Sequence, residues 1–222
     1  MIETREPGKA AGTGSPPREW NIRLTEALEG DVIHTTLRLL REHGACATRY
    51  RYLCKALGGA EKYGRDTPIT FPQLVEINGL DDALWALRAV PAEQAKARDL
   101  IARLFACACA EHVVPIYEIK YPNDNRVRLC IEASRKFAYG EITKLELLEA
   151  ARAAWAAAGA AWAARGAGGA GAARAADAAW NARAAGAAGA ARNAVGAVGA
   201  VGAARHAETD WQKELFLTLL TE

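Results

Sequence analysis

Cys107, Cys109 and His112, with Cys130 further along, are the residues whose types could hold a metal ion. Structural zinc sites pair their cysteines with two to four residues between them; here only Ala108 intervenes. On a helix Cys109 and His112 share a face, whereas Cys107 is turned from Cys109 by about 200°. The pattern therefore predicts small buried thiols, a usual fate of free cysteine, and no metal site. Nucleophilic catalysis needs a Cys or Ser beside a base, but His34, His43, His112 and His206 are scattered. No catalytic residue and no cofactor site is expected. Asp81 and Asp82, just before Leu84 and Trp85, are explained by capping and by the dipole at a helix N-terminus.

A stronger candidate is basic and aromatic. Between residues 36 and 65 seven Lys/Arg stand against Glu42 and Glu61, a local balance of +5, with Tyr50, Tyr52 and Tyr63 interleaved. The loop 58–66 (GGAEKYGRD) adds flexible glycines and backbone donors. A guanidinium suits phosphate or carboxylate because its planar fork donates two parallel hydrogen bonds. The loop lacks the G-x-x-x-x-G-K-[ST] pattern of a P-loop. Arg49, Arg51, Tyr52, Lys55, Lys62, Tyr63, Arg65 and Asp66 are the candidate residues for an anionic ligand or acidic partner. The competing explanation is a solvated helix face, with Arg65 and Asp66 fixing a turn.

These residues need helices to carry them, and apolar spacing supplies helices throughout. Residues 1–17 are Pro, Gly and charge without periodicity and read as a disordered tail. Trp20, Leu24 and Leu28 mark a short helix over 19–29. Asp31 is expected to cap a helix bearing Ile33, Leu37 and Leu40, stopped at Gly44, and a second helix spans 46–57. Residues 68–72 should be extended, since residues preceding proline avoid the α region. Helical turns over 73–77, a helix from Asp81 to Val90 and a long helix from 92 to 117, kinked near Pro115, come next. Asp124 should cap a helix to Tyr139; Thr143 with Glu146 forms a capping box, and Thr209 with Gln212 a second one. No stretch alternates with a two-residue period.

The tract 151–204 holds 30 Ala, 10 Gly and three Trp (Trp155, Trp162, Trp180), and Arg165, Arg174, Arg183 and Arg192 recur every nine residues. Each interior Gly costs about 1 kcal/mol relative to Ala, so such a helix must gain stability from close helix–helix approach, with the Trp rings as its only large anchors, in the core, the more frequent role, or at an interface. The glycines at 166–171 predict a hairpin. The expected fold is all-α: a helical domain over 18–142 and, over 143–222, a small-residue hairpin with the last helix packed on it.

Composition narrows the function classes. A net charge of +2 makes no general case for nucleic acid or membrane, and charges interrupt the Ala/Gly tract too often for a membrane span. Five cysteines without framework spacing, and no apolar run behind Met1, point to a reduced cytoplasmic protein.

The block over 44–90 (GACATRYRYLCKALGGAEKYGRDTPITFPQLVEINGLDDALWALRAV) and the stretch CACAEHVVPIYEIKYPNDNRVRLCIEAS before the Ala/Trp-rich repeat together resemble the helical immunity proteins of bacteria and phages, which are associated with polymorphic toxins. Tyr121-Pro-Asn-Asp-Asn-Arg126 with Ile131-Glu132-Ala133 is the most specific part, and the resemblance spans most of 44–215. It implies an all-helical protein that works by binding and carries over no catalytic residue. The leading expectation is an inhibitor occupying a protein toxin or host defence factor, including an anti-defence role. Sequestration of a nucleotide signal by the Arg/Tyr/Gly-rich segment is the alternative, and the Ala/Gly hairpin could also pair two copies into a dimer.

Overall fold

The computed structural model describes residues 32–163 and 205–221, with side chains through 157 and from 209. The expected tail over 1–17, the helix over 19–29 and, of the small-residue hairpin, the break at 166–171 with the rest of the tract through 204 lie outside the described residues. Within them the chain folds as β1 (His34–Thr35), α1 (Leu37–Glu42), α2 (Ala47–Ala56), α3 (Ala60–Tyr63), β2 (Ile69–Thr70), α4 (Phe71–Asn78) and α5 (Leu80–Ala86). Two 3-10 turns (Leu87–Ala89 and Ala92–Gln94) lead to α6 (Ala95–Lys120), α7 (Arg126–Ala138), α8 (Lys144–Ala163) and α9 (Arg205–Thr221). The all-α class holds. The strands pair antiparallel with His34 opposite Thr70 and Thr35 opposite Ile69, and two residues per strand are too few to show an alternation.

Local chemistry sets the element boundaries. Thr36, not Asp31, caps α1: its side chain accepts from the Leu39 N–H at 3.1 Å. Ile33 precedes β1 instead of opening that helix. At the end of α2, Gly59 N–H donates to the Cys54 carbonyl and Gly58 N–H to that of Lys55, with Gly58 at φ 83°, a left-handed stop that L side chains resist. Gly79, at φ 85°, both ends α4 and opens α5, so Asp81 sits inside the first turn rather than capping it. The Thr143–Glu146 box forms as expected: each backbone N–H is bonded by the other's side chain, at 2.7 and 3.3 Å. The Thr209–Gln212 box does not cap, because α9 already begins at Arg205. Ala207 and Glu208 are good helix formers, so nothing stops that earlier start.

α6 is the centre. Every residue from 101 to 110 is buried, and the helix stays helical through Pro115. Its apolar length passes for a membrane span by composition, but 78% of that window is buried inside the fold, as in a core helix. α7 packs along α6, and α8 along α7. On another side α9 packs against α4 and α6, with the Phe216 ring edge-on to Phe105 (5.4 Å) and Phe71 (6.4 Å). α8 turns Leu147, Ala151, Ala154 and Ala157 inward, all nearly inaccessible. Trp155 is 65% exposed, so it is not the anchor expected from its size. The small residues set the approach, and Ala151 and Ala154 meet Cys130 of α7. Trp162 and Trp180 lie outside the residues whose side chains are described.

Phe216→Ala should lower stability by about 3–5 kcal/mol, the loss typical of a buried ring. Trp155→Ala should change it by less than about 0.5 kcal/mol. Denaturant midpoints of the two variants test both statements.

Candidate functional site

The basic segment does not converge on one pocket. Arg49 leaves α2 toward α5, where its Nε donates to Asp82 Oδ2 at 2.7 Å and its other guanidinium nitrogen to the Asn78 carbonyl at 2.7 Å. Arg51 folds back onto the Ala47 carbonyl of its own helix at 3.2 Å. Tyr52, Lys55, Lys62 and Arg65 are exposed. Tyr63 donates its hydroxyl to the Pro68 carbonyl at 2.9 Å, which holds the loop in place. Asp66 does not pair with Arg65 to fix the turn; it pairs with Arg38 at 2.6 Å, while the Arg65 carbonyl accepts from the Arg38 N–H. Each of these long-range partners lies on another element, so local spacing could not reveal it.

Where Arg49 meets α4 and α5 there is a cleft of about 200 Å³, with Leu40, Leu53, Leu74 and the rings of Tyr50 and Trp85 among its walls. Asn78 lines it and is only 8% exposed. Its Nδ2 donates to Asp82 Oδ2 at 2.8 Å and to the Arg49 carbonyl at 3.3 Å. Both neighbours are acceptors, so the amide orientation is fixed by the network. The remaining Oδ1 is buried without a hydrogen-bond donor, an omission worth about 1–3 kcal/mol. Asn78 was not among the candidates, because an Asn before a Gly reads as a stop signal.

A second assembly lies at the turn between α6 and α7. Asp124 accepts from the Arg126 N–H at 3.1 Å, so it serves the first turn of α7 although Asn125 holds the cap position. It also accepts from Arg126 Nε (2.8 Å) and from the Tyr117 hydroxyl (2.7 Å). Arg126, a cation at a helix N-terminus, is unfavourably placed for the dipole, and Asp124 offsets this. The guanidinium of Arg126, and then the Tyr117 hydroxyl, hold the Asp124 carboxyl well below the usual carboxylate range. Burial, and then the bond to Asp124, push the Tyr117 hydroxyl up. The motif most specific to the resemblance is thus a structural corner.

Beside this corner three successive helices each carry a large exposed apolar side chain. Glu118 of α6 is bridged by Arg128 of α7 at 2.5 and 2.7 Å, and Cys130 of α7 packs on Ala154 of α8. The residues next to these contacts are Ile119, 84% exposed, Leu129, 47%, and Trp155, 65%. The sequence gives little sign of these three side chains, since exposure depends on how each helix is rotated. The thiols are core groups: Cys107, Cys109 and Cys130 are buried, Cys107 faces the Ile131 carbonyl at 3.8 Å, and burial pushes its pKa up to about 12. His112 stacks on Trp211 of α9 with ring centres 4.1 Å apart.

A family model described as Imm-5 like putative immunity protein matches residues 91–216, which takes in the corner and the three exposed side chains but not the Arg49 cleft. No curated protein and no solved structure matches.

Asp124→Asn should lower stability at pH 7 by about 2 kcal/mol, the worth of hydrogen bonds to a charged group. The folded carboxyl ionises at lower pH than the unfolded one, near 4. Its contribution is therefore complete above that pH and is lost as the pH falls toward the folded value. Urea midpoints of wild type and variant should differ at pH 7 and draw together below pH 4.

Proposed function

The chain belongs to the Imm-5 like immunity protein family, and from that premise we propose that it is a non-enzymatic inhibitor that occupies the surface of a protein toxin. The observation that carries the proposal is the exposure of Ile119, Leu129 and Trp155 within the matched region. Large apolar side chains held outward on packed helices gain nothing for folding, and exposed apolar surface is what interaction sites are built from. Trp is among the residues most enriched at the energetic centres of interfaces. The Glu118–Arg128 pair is made within the chain and fixes the spacing of α6 and α7, so the surface is preorganised. The chemistry is that of a rigid helical face meeting an apolar depression on the partner, in a reducing cytoplasm where the free thiols persist.

The test is native mass spectrometry of the full chain isolated gently from its host. Wild type should carry a stoichiometric protein partner, and Ile119→Asp with Trp155→Asp should weaken that complex by about 30-fold or more, as for interface hot spots. A chain that never retains a partner protein, or a complex indifferent to both substitutions, overturns the proposal. A homodimer that the substitutions dissociate would assign these side chains to self-association and overturn it equally.

A further inference from the structure

We propose that the cleft between α2, α4 and α5 receives the chain's own residues 19–29, with Trp20, Leu24 and Leu28 laid against its walls. Leu40, Leu53 and Leu74 line the cleft with the rings of Tyr50 and Trp85, an apolar surface that gains by being covered. Its volume, about 200 Å³, falls below the range of sites that hold drug-sized ligands. It suits side chains offered one at a time by a helix lying across it. Trp20, Leu24 and Leu28 stand four apart, the spacing by which an amphipathic helix fills a groove.

Charge selects the same occupant. Burial, and then Cys54, raise the pKa of the Tyr50 hydroxyl, and Arg41 and Arg65 lie near enough to act against them. At the other ring the Arg88 guanidinium sits 4.8 Å from the centre of Trp85. These three arginines are exposed and make no ion pair among the described residues. Residues 19–31 carry Glu19, Glu26, Glu29 and Asp31 against Arg23, a net charge of −3, and Arg23 can answer Asp81, the exposed acid of the rim. The tether is short. Gln94 holds the Val32 carbonyl at 3.4 Å, and Thr35 donates to the Ala89 carbonyl at 2.6 Å, three residues beyond Ala86 of the cleft wall. As a helix, Trp20 to Leu28 spans about 12 Å, and Glu29 to Val32 adds about 10 Å of extended chain. A link of that length gives an effective concentration in the millimolar range, so weak contacts suffice. Both partners lie outside residues 91–216, so failure of this docking leaves the inhibitor reading untouched.

The test is hydrogen–deuterium exchange of the full chain, as wild type and with Trp20→Asp and Leu24→Asp together, alongside site-resolved alkylation of Cys46, an exposed thiol of the cleft lining. Wild type should exchange over 19–29 about tenfold more slowly than an unstructured chain, or slower still, and the double variant at the unstructured rate. The variant should also alkylate at Cys46 about fivefold faster or more, because access governs thiol reactivity. Exchange over 101–110 should stay unchanged, which shows an intact core. Arg41→Glu with Arg65→Glu should speed exchange over 19–29 while leaving the apolar walls in place. Unprotected 19–29 in wild type, protection that survives either pair of substitutions, or Cys46 alkylation indifferent to the first pair overturns the docking. Protection over 19–29 that grows with protein concentration would give the cleft to the segment of a second copy and overturn it equally.

Discussion

A helix buried on every side must be given partners on every side. That constraint, set by residues 101–110 of α6, organises the molecule. Alanine and cysteine dominate the stretch, so neighbouring helices come close. The large side chains that fill the remaining space, Phe105, Phe71 and Phe216, come from three separate helices. Arg103 shows how tightly this closes: it is 6% exposed, its guanidinium lies 4.9 Å from the Phe137 ring centre, and desolvation lowers its pKa.

With the centre occupied by small residues, charge is placed around it. Glu111 and Arg135, and Glu118 and Arg128, tie α6 to α7 at successive levels, and the Asp124 corner closes the connection between them. Pairs of this kind give little stability when exposed; here they set the spacing and rotation of two helices that small side chains alone would leave free to slide. A fixed rotation is what turns Ile119 and Leu129 outward. The same logic applies to α8, where Ala151 and Ala154 against Cys130 leave Trp155 outside. The exposure of these three side chains is thus a consequence of how the core is packed.

Much of the architecture was readable in the sequence because it rests on short-range chemistry. The Thr143–Glu146 box, the stops at Gly44, Gly58 and Gly140, and the inward positions of Leu84, Leu87, Phe216 and Leu219 follow from neighbours three or four residues apart. The tiny sheet escaped notice because two residues per strand carry no period. The orientation of Trp155 escaped because a stripe of alanine in a helix of alanine leaves its inward face unmarked. The Arg49–Asp82 pair spans 33 residues, beyond any local pattern, and with it went the Asn78 cleft. Of the basic candidates, only Arg49 lines that cleft; the rest face solvent or brace the 58–68 loop.

Hydrogen–deuterium exchange of the full chain, free and bound to the protein partner retained in native mass spectrometry, tests the central claim most directly. The account predicts slowed exchange over 116–131 and 151–157, around Ile119, Leu129 and Trp155. Slowing confined to 40–86, with those two segments unchanged, would contradict it.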